Sequence, residues 1–217
     1  MSKLNKKIFW FIGILAICFI GIILLSNTSK ESVEIDYEGQ PFIGEASAPV
    51  DIIEFGDYKC PHCKDFTEQT YPVIYKELVE TGKAKFYFIN YSFIGPDSMT
   101  AAQFAETVYQ ELGNDVFWSF HDLLFKNQTT SDGEMTFFTT DLLGNLLAEL
   151  VSEEETSKVM TAYREEKGKE AWDIDMQLAK KLNVTATPAI YINGEQFTGN
   201  TFDDFIEMVE GAEKHGE

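Results

Sequence analysis

Three cysteines in 217 residues are too few for a fold stapled by disulfides. Small exported domains that rely on bridges carry several cysteines at long spacings. Here two of the three, Cys60 and Cys63, stand only three positions apart, and a bridge across so short a loop removes little entropy from the unfolded chain. Basic residues are also scarce: 17 Lys and Arg face 36 Asp and Glu. Four of the lysines fall in the first thirty residues, where there is no acid at all. The remainder is strongly negative and repels a phosphate backbone, which makes nucleic acid a poor partner. Such a surface serves solubility or attracts divalent cations, but no EF-hand loop or comparable ligand spacing is present. Zinc needs about four ligands, and beyond the cysteine pair the chain has only His62, His121 and His215. No metal and no cofactor are expected: the chain has no flavin or nicotinamide motif, and no repeat or low-complexity tract.

Long apolar runs are limited to one, Ile8 to Leu25. At ~1.5 Å per residue it spans roughly 27 Å, close to the hydrocarbon thickness of a bilayer. Lys3, Lys6 and Lys7 precede it, so the positive-inside tendency keeps the N-terminus in the cytoplasm and sends the rest across. A cleaved signal peptide begins in the same way, yet no small-x-small cleavage site follows the run. The expectation is a single uncleaved transmembrane helix within residues 1–30 and a polar tether over 31–40. Leu15 to Cys18 makes a poor lipoprotein box, because Ile17 is too large and apolar sequence continues past Cys18. Cys18 reads as a small apolar residue in lipid.

Cys60-Pro61-His62-Cys63 follows the apolar run Val50–Phe55 and opens a helical stretch. Residues i and i+3 of a helix share a face, so the two sulfurs can bond with little backbone movement. Proline favours the first helical position. Cys60 then falls at or beside the N-cap, where free N–H groups and the helix dipole favour a thiolate. Lys59, His62 and Lys64 are expected to add positive charge around it. This is the setting of a reactive thiol, and it implies thiol–disulfide exchange. A stabilising bridge or half a zinc site is the competing interpretation. Stability has to come from a core, which 14% aromatic and 44% hydrophobic residues can supply.

Along the chain, 41–44 suggests a short edge strand and Val50–Phe55 a strand covered on both faces. The helix from Pro61 should run to about Glu80, with Pro72 kinking or breaking it. Lys85 to Phe93 is rich in β-formers. Ala101, Phe104, Ala105, Val108 and Leu112 then keep helical spacing up to Gly113. Further helices carry Phe117–Leu124, Leu142–Leu150, a segment starting near Ser152, and Trp172–Leu182. Ala189–Ile192, an Asn193-Gly194 turn and Gln196-Phe197 make a hairpin, and Phe202–Val209 closes the chain as a helix. Two strands on each side of the helical block suit one mixed sheet with the helices inserted.

The chain resembles the DsbA-type thiol:disulfide oxidoreductases of the thioredoxin superfamily, particularly the membrane-anchored, BdbD-like members of Gram-positive bacteria. The residues that carry the resemblance are Ala48-Pro49-Val50, Glu54-Phe55-Gly56-Asp57-Tyr58 leading into Cys60–Cys63, Phe117-Trp118 with His121, Leu124 and Phe125, and Thr187-Pro188-Ala189-Ile190 with Asn193-Gly194. It covers roughly residues 40–210. The resemblance implies an α/β thioredoxin fold over 41–217, with a helical insertion at about 97–170. It also implies a cis Pro188 facing the cysteines, and a Thr187 that offers backbone hydrogen bonds to a substrate strand. Cys60 would be the nucleophile, Cys63 the resolving thiol, and His62 a further support for the Cys60 sulfur. Glu54 would be a buried carboxyl relaying the Cys63 proton, unless it faces a wet edge; Lys85 is a candidate partner for it. His121 and Trp172 read as core residues.

The expected function is introduction of disulfides into exported, unfolded, cysteine-bearing proteins by a monomer on the extracytoplasmic face of the cell membrane. An oxidant must itself be re-oxidised, so a membrane quinone-linked, DsbB-like thiol oxidase is the expected partner. The alternatives are a reductase or isomerase on the same fold, or an anchored holdase without enzymatic activity. The intact CPHC argues against the holdase, since a binding module has no need for a reactive pair.

Overall fold

The computed structural model describes residues 35–128, 130–131, 134–135 and 137–215. The apolar run, Cys18 and the first part of the expected tether lie outside the described residues. Among the described residues no helix is long and apolar enough to cross a membrane.

A five-stranded sheet organises the chain, built from β1 (Phe42–Ile43), β2 (Val50–Gly56), β3 (Ala84–Asn90), β6 (Ala189–Ile192) and β7 (Glu195–Gln196) in the order β1-β3-β2-β6-β7. β2 runs parallel to β3 and antiparallel to β6. It is therefore flanked on both edges and covered on both faces, as its near-continuous apolar sequence predicts. Successive side chains alternate between faces. Ile52 joins Phe86, Phe88 and the helical block in one core, while Ile53 and Phe55 join Tyr87, Ile89, Ala179 and Tyr191 in the other. This alternation decides the fate of Glu54, which falls on the Ile52 face, under the helix that follows.

That helix starts as α1 (Pro61–Asp65), with Cys60 as its N-cap residue. It widens into a π-helical turn over Phe66–Thr70, tightens as α2 (Tyr71–Ile74) and widens again over Tyr75–Val79. Pro72 lacks an N–H for the ladder, and the helix absorbs this expected break by widening on either side. The inserted helices are α3 (Pro96–Leu112), α4 (Asn114–Asn127), α5 (Thr140–Leu147) and α6 (Glu153–Arg164), with a small hairpin, β4 (Thr130–Ser131) and β5 (Glu134–Met135), after α4. Ser152 and Glu155 cap α6 reciprocally. The chain closes with α7 (Lys169–Lys181), the β6–β7 hairpin through Asn193 and Gly194, both at positive φ, and α8 (Phe202–His215).

Several expectations need correction. β3 ends at Asn90 rather than Phe93, because the N–H groups of Phe93 and Ile94 turn to the Asp57 carboxylate at 3.0 Å each. α5 stops at Leu147, leaving Leu150 exposed. Trp172 is half-buried rather than core. The described end of the tether is packed: Ile35 and Gln40 are buried, and Tyr37 lies against Tyr87 with ring centroids 4.6 Å apart. Lys85 pairs with Asp51 at 3.0 Å, not with Glu54, because the two residues lie on opposite faces of adjacent strands.

Candidate active site

The end of β2 and the start of α1 form one tight turn. Gly56 closes the strand where a Cβ would collide with the Phe88 ring. Asp57, fully buried, then gathers three backbone donors: Lys59 N–H at 2.9 Å on one oxygen, and Phe93 and Ile94 N–H on the other. Its own carbonyl accepts from Cys60 N–H at 2.8 Å. The turn thus delivers Cys60 to the N-cap with an extended backbone, φ −76° and ψ 117°.

Cys60 and Cys63 are both buried and carry free thiols here. They differ sharply in acidity. The Cys60 thiol is lowered to about 5, first by a hydrogen bond from the Cys63 thiol. Burial opposes this, while Thr187 and the nearby N–H groups of Cys63 and His62 reinforce it, with no cap hydrogen bond made to the sulfur. Cys63, one turn deeper and fully buried, is pushed far up by burial, by its bond to Cys60 and by the charge of Glu54. Glu54 is 1% exposed, so the wet-edge alternative fails. Burial raises its carboxyl well above the usual range, the Cys60 thiolate raises it further, and a hydrogen bond with the Cys63 thiol opposes both. One Glu54 oxygen, Oε1, is buried without a partner.

The support expected from positive side chains is absent. The Lys59 ammonium is buried and spends its charge on Asp97, 2.7 Å away. That of Lys64 lies 2.8 Å from the Gln128 carbonyl oxygen. The His62 ring is exposed, and what His62 gives the sulfur is its backbone N–H. Pro61 takes the first helical position, as expected. The Thr187–Pro188 peptide is cis, and the Thr187 carbonyl oxygen lies 3.3 Å from the Cys60 sulfur. The structure therefore brings Cys60, Cys63, Glu54 and Thr187-Pro188 together. His121 is a core histidine: it is 3% exposed, ringed by Phe88, Trp118 and Phe125, and 3.3 Å from the Tyr58 hydroxyl. Burial lowers it to about 3 and keeps the ring neutral.

No three His, Cys, Asp or Glu side chains cluster as metal ligands among the described residues. The buried Glu106 and Asp175 carboxyls are instead bonded to amides: Asn90 Nδ2 donates to both, at 2.7 and 3.1 Å, and Gln40 Nε2 donates to Asp175 at 2.8 Å.

A family model described as thioredoxin matches residues 36–211. Disulfide bond formation protein D of Bacillus subtilis (strain 168) is 38% identical over 182 residues, which are 82% of this chain and 77% of that protein. The chain belongs to the disulfide bond formation protein D family and is a thiol:disulfide oxidoreductase. The probable disulfide bond formation protein D of Bacillus cereus is 34% identical over 172 residues, 79% of this chain and 78% of that one. The oxidised BdbD crystal structure from Bacillus subtilis is similar at a TM-score of 0.76 and 36% identity, covering 84% of this chain and 97% of that one. A DsbA crystal structure from Chlamydia trachomatis, 21% identical with a TM-score of 0.68 over 87% of this chain and 97% of that one, shares the fold.

Two residues of this family member's site escape sequence reasoning. Asp57 appears in the sequence only as one letter of a motif, with no sign of the donors it collects. Gln128 sits in a polar stretch that reads as a helix break, yet it is 3% exposed and bonded to the redox turn.

Proposed function

We propose that this oxidoreductase works as an oxidant, donating its Cys60–Cys63 disulfide to unfolded, cysteine-bearing exported proteins on the extracytoplasmic face of the membrane. The observation that carries this is the opposite displacement of the two thiols. A substrate thiolate attacks the Cys60 sulfur of the disulfide; the S–S bond breaks, and its electron pair leaves on Cys63. A second substrate thiolate then attacks the mixed disulfide, and Cys60 departs as a thiolate. A stable thiolate is a good leaving group, which drives electrons from substrate to enzyme. Cys63 leaves as a thiolate with a high affinity for a proton, and the Glu54 carboxyl, raised by burial and hydrogen-bonded to the Cys63 sulfur, is the group to supply one. Thr187 and Pro188 flank the sulfur where a substrate strand would lie. Phe93 and Phe137, 51% and 61% exposed, give apolar purchase for an unfolded chain.

Oxidised protein incubated with reduced, unfolded ribonuclease should restore ribonuclease activity while becoming reduced itself. Cys60→Ala should abolish this, and a Cys63→Ala variant carrying a Cys60 mixed disulfide should pass it to a substrate thiol. Failure of the wild type to oxidise, together with ready reduction of small disulfides, would favour the reductase. Glu54→Gln should slow formation of the mixed disulfide by about 10²-fold below pH 7. An unchanged rate there would remove Glu54 from the proton path. The apolar run Ile8–Leu25 supports a membrane anchor; the oxidant, a monomer in this reading, needs re-oxidation, which falls to a quinone-linked, DsbB-like membrane thiol oxidase.

A further inference from the structure

The turn that carries Cys60 is gripped from the helical block as well as from within. Gln128 follows the last residue of α4, and its buried Nε2 donates two hydrogen bonds, 2.7 Å to the Tyr58 carbonyl and 3.1 Å to the Cys60 carbonyl. The Cys60 carbonyl also accepts from Lys64 N–H at 3.2 Å, the first main-chain bond of α1. Gln128 therefore acts on the residue that starts the helix. α1 returns the hold: the Lys64 ammonium donates to the carbonyls of Gln128 and Lys126, 2.8 and 3.4 Å away, at the end of α4 where the helix dipole favours a cation.

The orientation of the carboxamide follows from its neighbours. Both are carbonyl acceptors, so the NH2 has to face them; a flipped amide would set oxygen against oxygen. Gln128 Oε1 is left buried and without a partner. An apolar side chain of the same length would fill this space but take the donor away from the buried Tyr58 carbonyl, so what the glutamine adds beyond volume is its two bonds to the turn. What the amide supplies is geometry. An extended N-cap residue aims its side chain toward the free N–H groups of the first turn; Cys60 has that backbone, φ −76° and ψ 117°, with its sulfur beside the N–H groups of His62 and Cys63 but making no cap hydrogen bond to them.

We propose that Gln128 is a positioning residue for the exchange reaction. By tying the Tyr58 and Cys60 carbonyls to the end of α4, it holds the Cys60 sulfur over the first N–H groups of α1. The helical insertion thereby becomes part of the device that sets oxidising strength. This rests on reading Cys60 as a stabilised thiolate.

Gln128→Met keeps the length of the side chain and removes both donors. The control is Leu143→Ala, fully buried on α5 of the same block. Two quantities are read: the Cys60 titration midpoint by thiolate absorbance, and the equilibrium with glutathione. Gln128→Met should raise the midpoint by about one unit and shift the equilibrium about tenfold toward the disulfide form, about 30 mV less oxidising. Leu143→Ala should lower the melting temperature and move neither. A Gln128→Met midpoint equal to wild type, or an equal shift in Leu143→Ala, overturns the proposal. If Gln128→Met does not fold, the wild type carries the test. By NMR in heavy water, the Gln128 NH2 protons must exchange far more slowly than those of the exposed Gln177; equal rates mean the two bonds are not made. A wild-type midpoint like that of free cysteine is a distinct result, which sinks the oxidant reading itself.

Discussion

Melted side by side from pH 5 to pH 8.5, the dithiol and disulfide forms should change places in order of stability. Cys60 titrates near 5 in the folded protein, against about 8.5 for an unperturbed cysteine. A depressed folded pKa contributes stability that is complete above the unfolded value and is lost as pH falls through the folded one. Only the dithiol has this contribution. At about 1.4 kcal/mol per unit, and allowing for partial screening by solvent, it grows to about 3 kcal/mol across the window. Cys63 intrudes little: it stays protonated in the fold, and ionisation of the unfolded thiol costs the dithiol only about 0.4 kcal/mol at pH 8.5. The disulfide has a fixed advantage instead, about 2 kcal/mol for a loop of this length in the chain-entropy account. It should lead at pH 5 and trail at pH 8.5, a swing of about 6–12 °C between the two melting temperatures. Parallel curves would mean that the fold does not stabilise the thiolate.

Asp57→Ala should be among the most destabilising single changes near the site. The carboxylate accepts from three backbone N–H groups in a fully buried position. Charge-assisted bonds of this kind are stronger than neutral ones, and each buried donor left without an acceptor costs about 1–3 kcal/mol. The loss should reach about 3–5 kcal/mol, or roughly 10–15 °C for a domain of this size. Asp57→Asn should recover little, because it turns an acceptor oxygen into a donor facing other donors. Denaturant melts of the two variants check this. A loss below about 1 kcal/mol would mean that the turn satisfies its donors some other way.

What the sequence discloses here are features with local causes. β2 shows as an apolar run, the start of α1 as a proline at the first helical position, and the β6–β7 turn as Asn193-Gly194. The parity of β2 places Glu54 on the Cys63 face once the strand is known. Partners distant in the chain leave no such trace. Lys59 and Lys64 neighbour Cys60 in sequence, which suggests that their charge supports the sulfur. Their long stems carry that charge away, to Asp97 in α3 and to the carbonyl of Gln128. The thiolate is supported first by the Cys63 thiol and only then by backbone N–H groups, which every residue but proline possesses and no composition reports. Asp57 and Gln128 are missed for the same reason, since their acceptors and donors are backbone atoms set by tertiary packing.

α3 and α4 form a hairpin through Gly113, and both of its free ends are moored beside the cysteines, one by Asp97 and the other by Gln128. Mechanical disturbance along that hairpin therefore reaches the sulfurs by two short routes. Neutral drift in helices far from the CPHC tetrad has a handle on how hungry for electrons the protein is, while the tetrad itself stays unaltered.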